Sequence, residues 1–236
     1  MTTGFQGSRA RLTDLGAEQA VVDNAYAHLE KMRARAEKLL AEMGRADPDL
    51  EWALVRRVKA LATTPRALCF GRTDALDGTT WYIGRRHVED EMGDPLVVEW
   101  RAPVALPFYR ASWAEPMDLE RRRQFIVDGK EILSIGDDTF GSGSGPADGV
   151  RGREALLVEL ERGRTGEMLD VVATIQPEQD EVIRAPVQGL LVVQGGPGSG
   201  KTAVGLHRAA FLLYATRPWP GRTCSWWAPT APSSVT

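Results

Sequence analysis

Apolar residues recur every seven positions from Leu15 through Val22, Leu29 and Ala36 to Met43, with Ala25, Met32 and Leu39 on the other flank of the same stripe. That spacing puts the side chains on one face of an α-helix. Between Ala25 and Glu42 the chain is dominated by Glu, Lys, Arg and Ala, which lose little freedom in a helix. Gly44 ends the run. Asp47 followed by Pro48 supplies a side-chain N-cap and a first-turn proline, and Leu50, Leu54, Val58 and Leu61 continue at helical spacing. The pattern predicts a helical hairpin (coiled coil) over residues 1–63. Such a hairpin must cover its apolar seam against its own partner helix, the domain that follows, or another protein, so it reads either as a lid or as a projecting probe. Asp47 and Asp49, at the turn, read on their own as a cap and a macrodipole partner.

From Ala67 onward the pattern changes to short stretches rich in β-branched and aromatic residues, at 79–84, 95–100, 124–127 and 131–135. Asp77-Gly78, Gly93-Asp94 and Asp128-Gly129 are turn dipeptides at hairpin spacing, which predicts a small antiparallel β-rich unit over residues 64–150. GSGSGPADG, at 141–149, reads as a flexible loop or linker that closes it. Beyond it, residues 153–162 read as a helix and 169–175 as a short strand or extended lead-in. There is no internal repeat.

The strongest chemical signal follows. Leu190, Leu191, Val192 and Val193 form a short apolar run, succeeded by Gly195-Gly196-Pro197-Gly198-Ser199-Gly200-Lys201-Thr202, a full match to G-x-x-x-x-G-K-[ST]. Ala203, Val204, Leu206, Ala209, Ala210, Leu212 and Leu213 then supply a helical tract, completing the strand, loop and helix order of a phosphate-binding loop. Glycine suits this chemistry because backbone N–H groups must approach and wrap a phosphate chain closely, and the helix N-terminus adds its dipole. In this pattern Lys201 serves the β- and γ-phosphates and the Thr202 hydroxyl ligates Mg²⁺, so ATP and Mg²⁺ are the expected cofactors.

Other features narrow the picture. Lys plus Arg is 29 against 32 for Asp plus Glu, a net charge of −3, which gives no reason to expect a generic nucleic-acid or membrane coat. Cys69 and Cys224 have neither metal spacing nor a disulfide framework, and the start of the chain lacks the apolar core of a signal peptide. A reducing cytoplasm is the expected location, without membrane association, since no apolar run approaches the roughly 20 residues of a membrane span. His28, His87 and His207 are scattered and read as surface or packing histidines. The mixed-sign run from Arg85 to Glu91 reads as a solvated turn, and Ser199 as part of the phosphate loop, without a nucleophile's triad.

Upstream of the loop, IQPEQDEVI at 175–183 resembles the Q-motif that precedes the phosphate loop in superfamily 1 helicases of the UvrD/Rep type. That resemblance implies an adenine-reading role for Gln179. Two longer strings, YIGRRHVEDEMGDPLVVEWRAPVALPFYRA at 82–111 and ATIQPEQDEVIRAPVQGLLVVQGGPGSGKTAVGLHRAAFLLY at 173–214, are similar to the HelD family of bacterial RNA polymerase-recycling ATPases, in its actinobacterial form. The likeness spans almost all of residues 9–214. It implies an ATPase whose N-terminal hairpin enters the secondary channel of core RNA polymerase while other domains open the main channel and expel nucleic acid, with Asp47 and Asp49 near the probe tip. DNA is a possible further partner.

The expected fold is α/β: a P-loop NTPase, RecA-like and incomplete, over residues 151–236, preceded by the hairpin and the β-rich unit. After Thr202 only 34 residues remain, too few to finish a parallel sheet, and no acidic Walker B pair, second ATPase domain or arginine finger follows. The expectation is that this chain is inactive alone. Residues 217–236 hold Trp219, Trp226, Trp227 and four prolines without periodicity. Back-translated with GC-rich codons and read one base earlier, 223–236 gives VLVVGPNRAFLRY, a buried-strand pattern, so an aberrant, frameshifted tail is expected. Two alternatives stand beside the polymerase reading: a UvrD/Rep-type DNA helicase fragment, and a non-enzymatic polymerase-binding module.

Overall fold

A computed structural model describes residues 3–43, 47–62, 66–140, 172–196 and 198–215, with side chains from Asp14 onward. Helix α1 runs Thr3–Met43 and α2 Pro48–Leu61. Six strands follow: β1 Cys69–Ala75, β2 Thr80–Gly84, β3 Val88–Glu89, β4 Pro95–Glu99, β5 Leu119–Asp128 and β6 Glu131–Thr139. A 3₁₀ turn at Pro103–Ala105 and the short helix α3, Leu106–Arg110, lie between β4 and β5. Helices α4, Pro177–Arg184, and α5, Lys201–Ala215, follow among the described residues. The chain divides into two compact units, Met1–Gln176 and Pro177–Thr236, whereas composition placed boundaries at 63/64 and 150/151. The expected linker at 141–149, the helix at 153–162 and the tail at 217–236 fall outside the described residues.

In the first unit the strands form one sheet in the order β3-β4-β2-β1-β5-β6. The three turn dipeptides do close antiparallel hairpins: β1 with β2, β3 with β4, and β5 with β6. The wholly antiparallel expectation is corrected at one place, where β2 and β4 pair in parallel, Ile83 opposite Val98. The β3 hairpin supplies the crossover that turns β4 back alongside β2. Strand β1, unforeseen, occupies the centre. Its sequence CFGRTDA lacks the apolar alternation that marks a strand, because Arg72 and Asp74 satisfy each other through charge instead of burying carbon. Residues 172–174 form a turn where a strand or extended lead-in was expected, with Val172 and Ile175 buried.

The heptad stripe of α1 covers this sheet. Val22, Ala25, Tyr26 and Leu29 share a core with Cys69, Val88, Val97, Phe125 and Ile132. The Tyr26 hydroxyl accepts from the Leu68 amide at 2.9 Å and donates to the Gly129 carbonyl. Farther along, among the described residues of the hairpin only Ala36 and Leu61 are buried, while Leu39 and Leu50 are about half exposed and Trp52 is 62% exposed. The first part of α1 is thus a lid and its later part a hairpin with α2. Asp47 caps α2 as its sequence suggested, its Oδ1 accepting from the amides of Asp49 and Leu50.

Beneath the lid is a buried ionic cluster. Glu18, 2% exposed, accepts through Oε1 from Arg72 and Arg123, each at 2.7 Å, and through Oε2 from the Tyr82 hydroxyl at 2.8 Å. Arg123 also holds Asp137 with two 2.7 Å bonds, and Asp74 takes both Arg72 and Arg121. Burial, then the Glu18 carboxylate, push the Tyr82 phenol up to about 12. Charges removed from water this thoroughly need several partners each, and here one helix supplies the carboxylate that two strands require. Close packing does the rest: a Cβ at Gly71 would lie 2.2 Å from the Phe108 ring, and one at Gly84 2.3 Å from the Leu68 carbonyl oxygen.

Candidate nucleotide site

The described residues of the second unit form two helices joined by an irregular segment and a glycine loop. Pro177 opens α4, and Ala185-Pro186 ends it, since a residue before proline is pushed out of helical geometry. Leu190 to Val193, expected as a strand, is neither helix nor strand, with no strand paired to it among the described residues, and its side chains stand exposed, Leu190 at 91%. β-branched composition favours an extended chain, but only a neighbouring ladder makes it a strand.

The loop follows. Gly198 and Gly200 take φ of +78° and +79°, the left-handed region in which a side chain is strained. A Cβ at Gly195 would lie 2.6 Å from the Ser199 hydroxyl. Gly196 has open space around it, and Pro197 lies outside the described residues. Helix α5 starts at Lys201, with the Val204 amide donating to the Gly200 carbonyl. The Lys201 ammonium folds back over the loop, donating to the Gly195 and Gly196 carbonyls at 2.6 Å each and to Ser199 Oγ at 3.3 Å. Lys201 and Thr202 are exposed, Ala203 half-buried.

This donor set suits a magnesium nucleotide. It joins a cation held over the loop, a hydroxyl in the first turn of a helix, and first-turn amides that have no intrahelical acceptor. Gln179 sits on α4, and its Nε2 lies 3.4 Å from where a Cβ of Gly200 would stand, so the side chain expected to read adenine borders the loop. The structure therefore brings Gln179, Gly195, Gly198, Ser199, Gly200 and Lys201 together.

Sequence reading missed what fixes α4 to α5. Asp180, fully buried, takes the Arg184 guanidinium at 2.7 Å, and Arg184 lies 5.3 Å from the Phe211 ring centre. Arg208 donates to the carbonyls of Val182, Ile183, Ala185 and Pro186. The signal was there as the helical spacing of Val204, Arg208 and Phe211, which share one face of α5, and from that face Arg208 and Phe211 meet α4.

The remaining candidates resolve as structure. His28 donates from Nδ1 to the Asn24 carbonyl and pairs through Nε2 with Glu91, which also binds Lys31 at 2.6 Å. His207 packs on the Ala203 carbonyl, and His87 lies near Glu89. The run from Arg85 to Glu91 is corrected: it contains strand β3, with Val88 fully buried, and Arg86 donates to the Ala62 carbonyl. Periodicity failed there because the strand is only two residues long. The Cys69 thiol is buried, and burial pushes it up to about 12. Among the described residues no group of three or more His, Cys, Asp or Glu side chains is arranged to hold a metal, and no helix is long and apolar enough to cross a membrane.

No curated protein matches the chain. A family model described as the N-terminal domain of DNA helicase IV HelD matches residues 15–152, more than half of the 236 residues and most of the first compact unit. The sheet, its helical lid and the hairpin are the matched part, and on that match the chain belongs to the HelD family.

Proposed function

We propose that this chain binds Mg-ATP at residues 195–203, as part of a superfamily 1 ATPase of the HelD type that engages core RNA polymerase through its helical hairpin and uses ATP to release nucleic acid. The observation that carries the nucleotide reading is the Lys201 ammonium held over two glycine carbonyls of a loop bent through two left-handed glycines. A cation so placed exchanges two neutral acceptors for anionic ones when phosphate arrives, which adds charge–charge attraction to hydrogen bonds already assisted by the ammonium.

Bound Mg-ATP supplies the free energy of phosphoryl transfer. The chain's own residues hold and orient it. Gly195, Gly196, Gly198 and Gly200 let the main chain close around the phosphates, with Pro197 and Ser199 completing the loop and Ala203 continuing the helix. Lys201 neutralises charge on the β- and γ-phosphates, Thr202 offers its hydroxyl to Mg²⁺, and Gln179 pairs its amide with the adenine edge. An amide can donate to N7 and accept from the N6 amino group of adenine, whereas guanine offers only the acceptors N7 and O6 on that edge.

The polymerase reading is supported by the family match and by the apolar side chains the hairpin leaves uncovered. Leu39, Leu50 and Trp52 stand exposed, and the Arg56 guanidinium lies 4.5 Å from the Trp52 ring centre. A buried aromatic or Arg anchor carries much of the energy of a protein interface. A module acting without catalysis is the second reading, favoured because the family match falls within a unit that has its own core. Deleting the hairpin is no test of either, since it would strip Glu18 and Val22 from that core.

Co-purification with core RNA polymerase separates them. The wild-type chain is expected to be retained, and Leu50→Ser with Trp52→Ala to weaken retention about tenfold or more. Lys201→Ala is expected to leave retention intact and, where this segment is joined to the rest of a HelD-type ATPase, to abolish ATP-dependent release of nucleic acid. Release unaffected by Lys201→Ala favours the module. No retention of the wild type counts against both.

A further inference from the structure

Arg208 lies two turns after Lys201 on the same face of α5, and its guanidinium collects the end of α4. Nη1 donates to the carbonyls of Val182 at 2.9 Å, Ile183 at 3.3 Å and Ala185 at 2.8 Å, and Nη2 donates to Pro186 at 3.0 Å. A helix leaves its last four carbonyls without intrahelical donors, and glycine in a left-handed cap commonly helps to satisfy them. Here Ala185 and Pro186 occupy the cap, and the donor comes from the helix that begins at the phosphate loop.

The geometry points to Arg208 as a positioning residue for base recognition: it clamps the C-terminus of α4 so that Gln179, three residues before Val182, is held beside Gly200. This rests on the nucleotide reading above and goes beyond it by assigning the purine preference to an arginine that meets neither base nor phosphate. Three observations support it. The clamp spans four carbonyls through a planar fork that lysine cannot reproduce. The rest of the contact agrees in register, with Val204 and Ile183 buried and Arg184, tied to Asp180, lying beside Phe211. And α4 is only eight residues, about 12 Å, so a shift at its carboxyl end is transmitted to Gln179 almost undiminished. Lys201, by contrast, is held by its own loop, through Gly195, Gly196 and Ser199. Base recognition and phosphate recognition are therefore separable, and Arg208 belongs to the first.

The test measures dissociation constants for Mg-ATP, Mg-GTP and magnesium tripolyphosphate, which has no base, on the whole chain and on Arg208→Gln, Arg208→Lys and Gln179→Ala, each checked for wild-type helix content by circular dichroism. The wild type is expected to prefer ATP over GTP and to bind tripolyphosphate. Arg208→Gln is expected to lose about tenfold of the ATP preference, matching Gln179→Ala, while tripolyphosphate affinity stays within about threefold. Arg208→Lys is expected to recover part of the preference. Combining Gln179→Ala with Arg208→Gln should add little to either alone. Equal loss of ATP and tripolyphosphate binding in Arg208→Gln would show that the arginine merely supports the loop and overturns the proposal, as does an unchanged ATP to GTP ratio. A folded wild type that binds neither ATP nor tripolyphosphate overturns the nucleotide reading itself and the proposal with it. One that binds both ATP and tripolyphosphate without preferring ATP over GTP overturns only the base-reading role.

Discussion

Replacing Glu18 by alanine attacks the joint between the helical lid and the sheet. The carboxylate accepts three hydrogen bonds of 2.7–2.8 Å, from Arg72, Arg123 and Tyr82, at 2% exposure. Removing one partner of a buried ion pair costs about 3–5 kcal/mol when the other charge is left without compensation. Here Arg72 keeps Asp74 and Arg123 keeps Asp137, so the lower end applies, about 3 kcal/mol. That is a large fraction of the roughly 5–15 kcal/mol of a whole domain. Glu18→Gln retains the shape, and Tyr82 can turn its hydroxyl to accept from the new amide, so only the charge assistance is lost and about 1–2 kcal/mol is expected. The control is Lys38→Ala, which removes an exposed pair with Glu42 at 3.7 Å and should change stability by about 0.5 kcal/mol or less. Because two compact units need not unfold together, the readout is hydrogen exchange of β1 and β5 amides across a urea series, which reports on the first unit alone. A Glu18→Ala chain whose β1 and β5 amides open within about 1 kcal/mol of wild type would refute the reasoning.

Three further outcomes follow from single contacts. Gly84→Ala should destabilise the first unit by about 3 kcal/mol, because its Cβ meets the fixed Leu68 carbonyl, whereas Gly16→Ala, on helix α1 with open space around it, should stabilise by about 0.5–1 kcal/mol; thermal melts by circular dichroism give the two signs. His28 titrates above its ordinary 6.5 because the Asn24 carbonyl and then Glu91 favour the doubly protonated ring, and Glu91 is held down at about 2 by Lys31 and then His28. The contact between α1 and the β3–β4 turn is therefore fully present between the ordinary values of the two groups, about pH 4.5 and 6.5; it is lost as pH falls toward 2 and Glu91 protonates, and it weakens as pH rises through His28's raised pKa, with Lys31 still holding Glu91. Nuclear magnetic resonance should place the His28 midpoint above 6.5, and Glu91→Gln should lower it only part of the way, since Asn24 remains. A midpoint unmoved by Glu91→Gln counts against the pairing. In a Cys224→Ser background, Cys69 should resist thiol reagents until the protein unfolds, as burial suppresses the thiolate; labelling of the native chain at the rate of a free thiol contradicts that.

Much of the first unit was legible from local signals. The heptad stripe, the Asp47-Pro48 cap and the three glycine turns each depend on neighbouring residues, and each is in the structure. What sequence concealed is non-local. Strand β1 is central because its Arg72 meets Glu18 and its Asp74 meets Arg121, across 54 and 47 positions of chain, and no window reveals such a meeting. The parallel placement of β4 beside β2 depends on how the β3 hairpin folds over, not on the composition of either strand. In the second unit the loop was plain, since G-x-x-x-x-G-K-[ST] fixes spacing and residue type together, whereas Arg208 was hidden because its partners are carbonyls, which every sequence has. The apolar run at 190–193 shows the opposite error: propensity promised a strand, and a strand requires a partner.

The most direct test of the nucleotide reading is calorimetric titration of the whole chain with Mg-ATP, alongside Lys201→Ala, under conditions where circular dichroism shows both folded. Saturable binding by the wild type, weakened by about tenfold or more in Lys201→Ala, is the expected result. A folded chain that takes up no Mg-ATP, or takes it up equally well without the Lys201 ammonium, would contradict it.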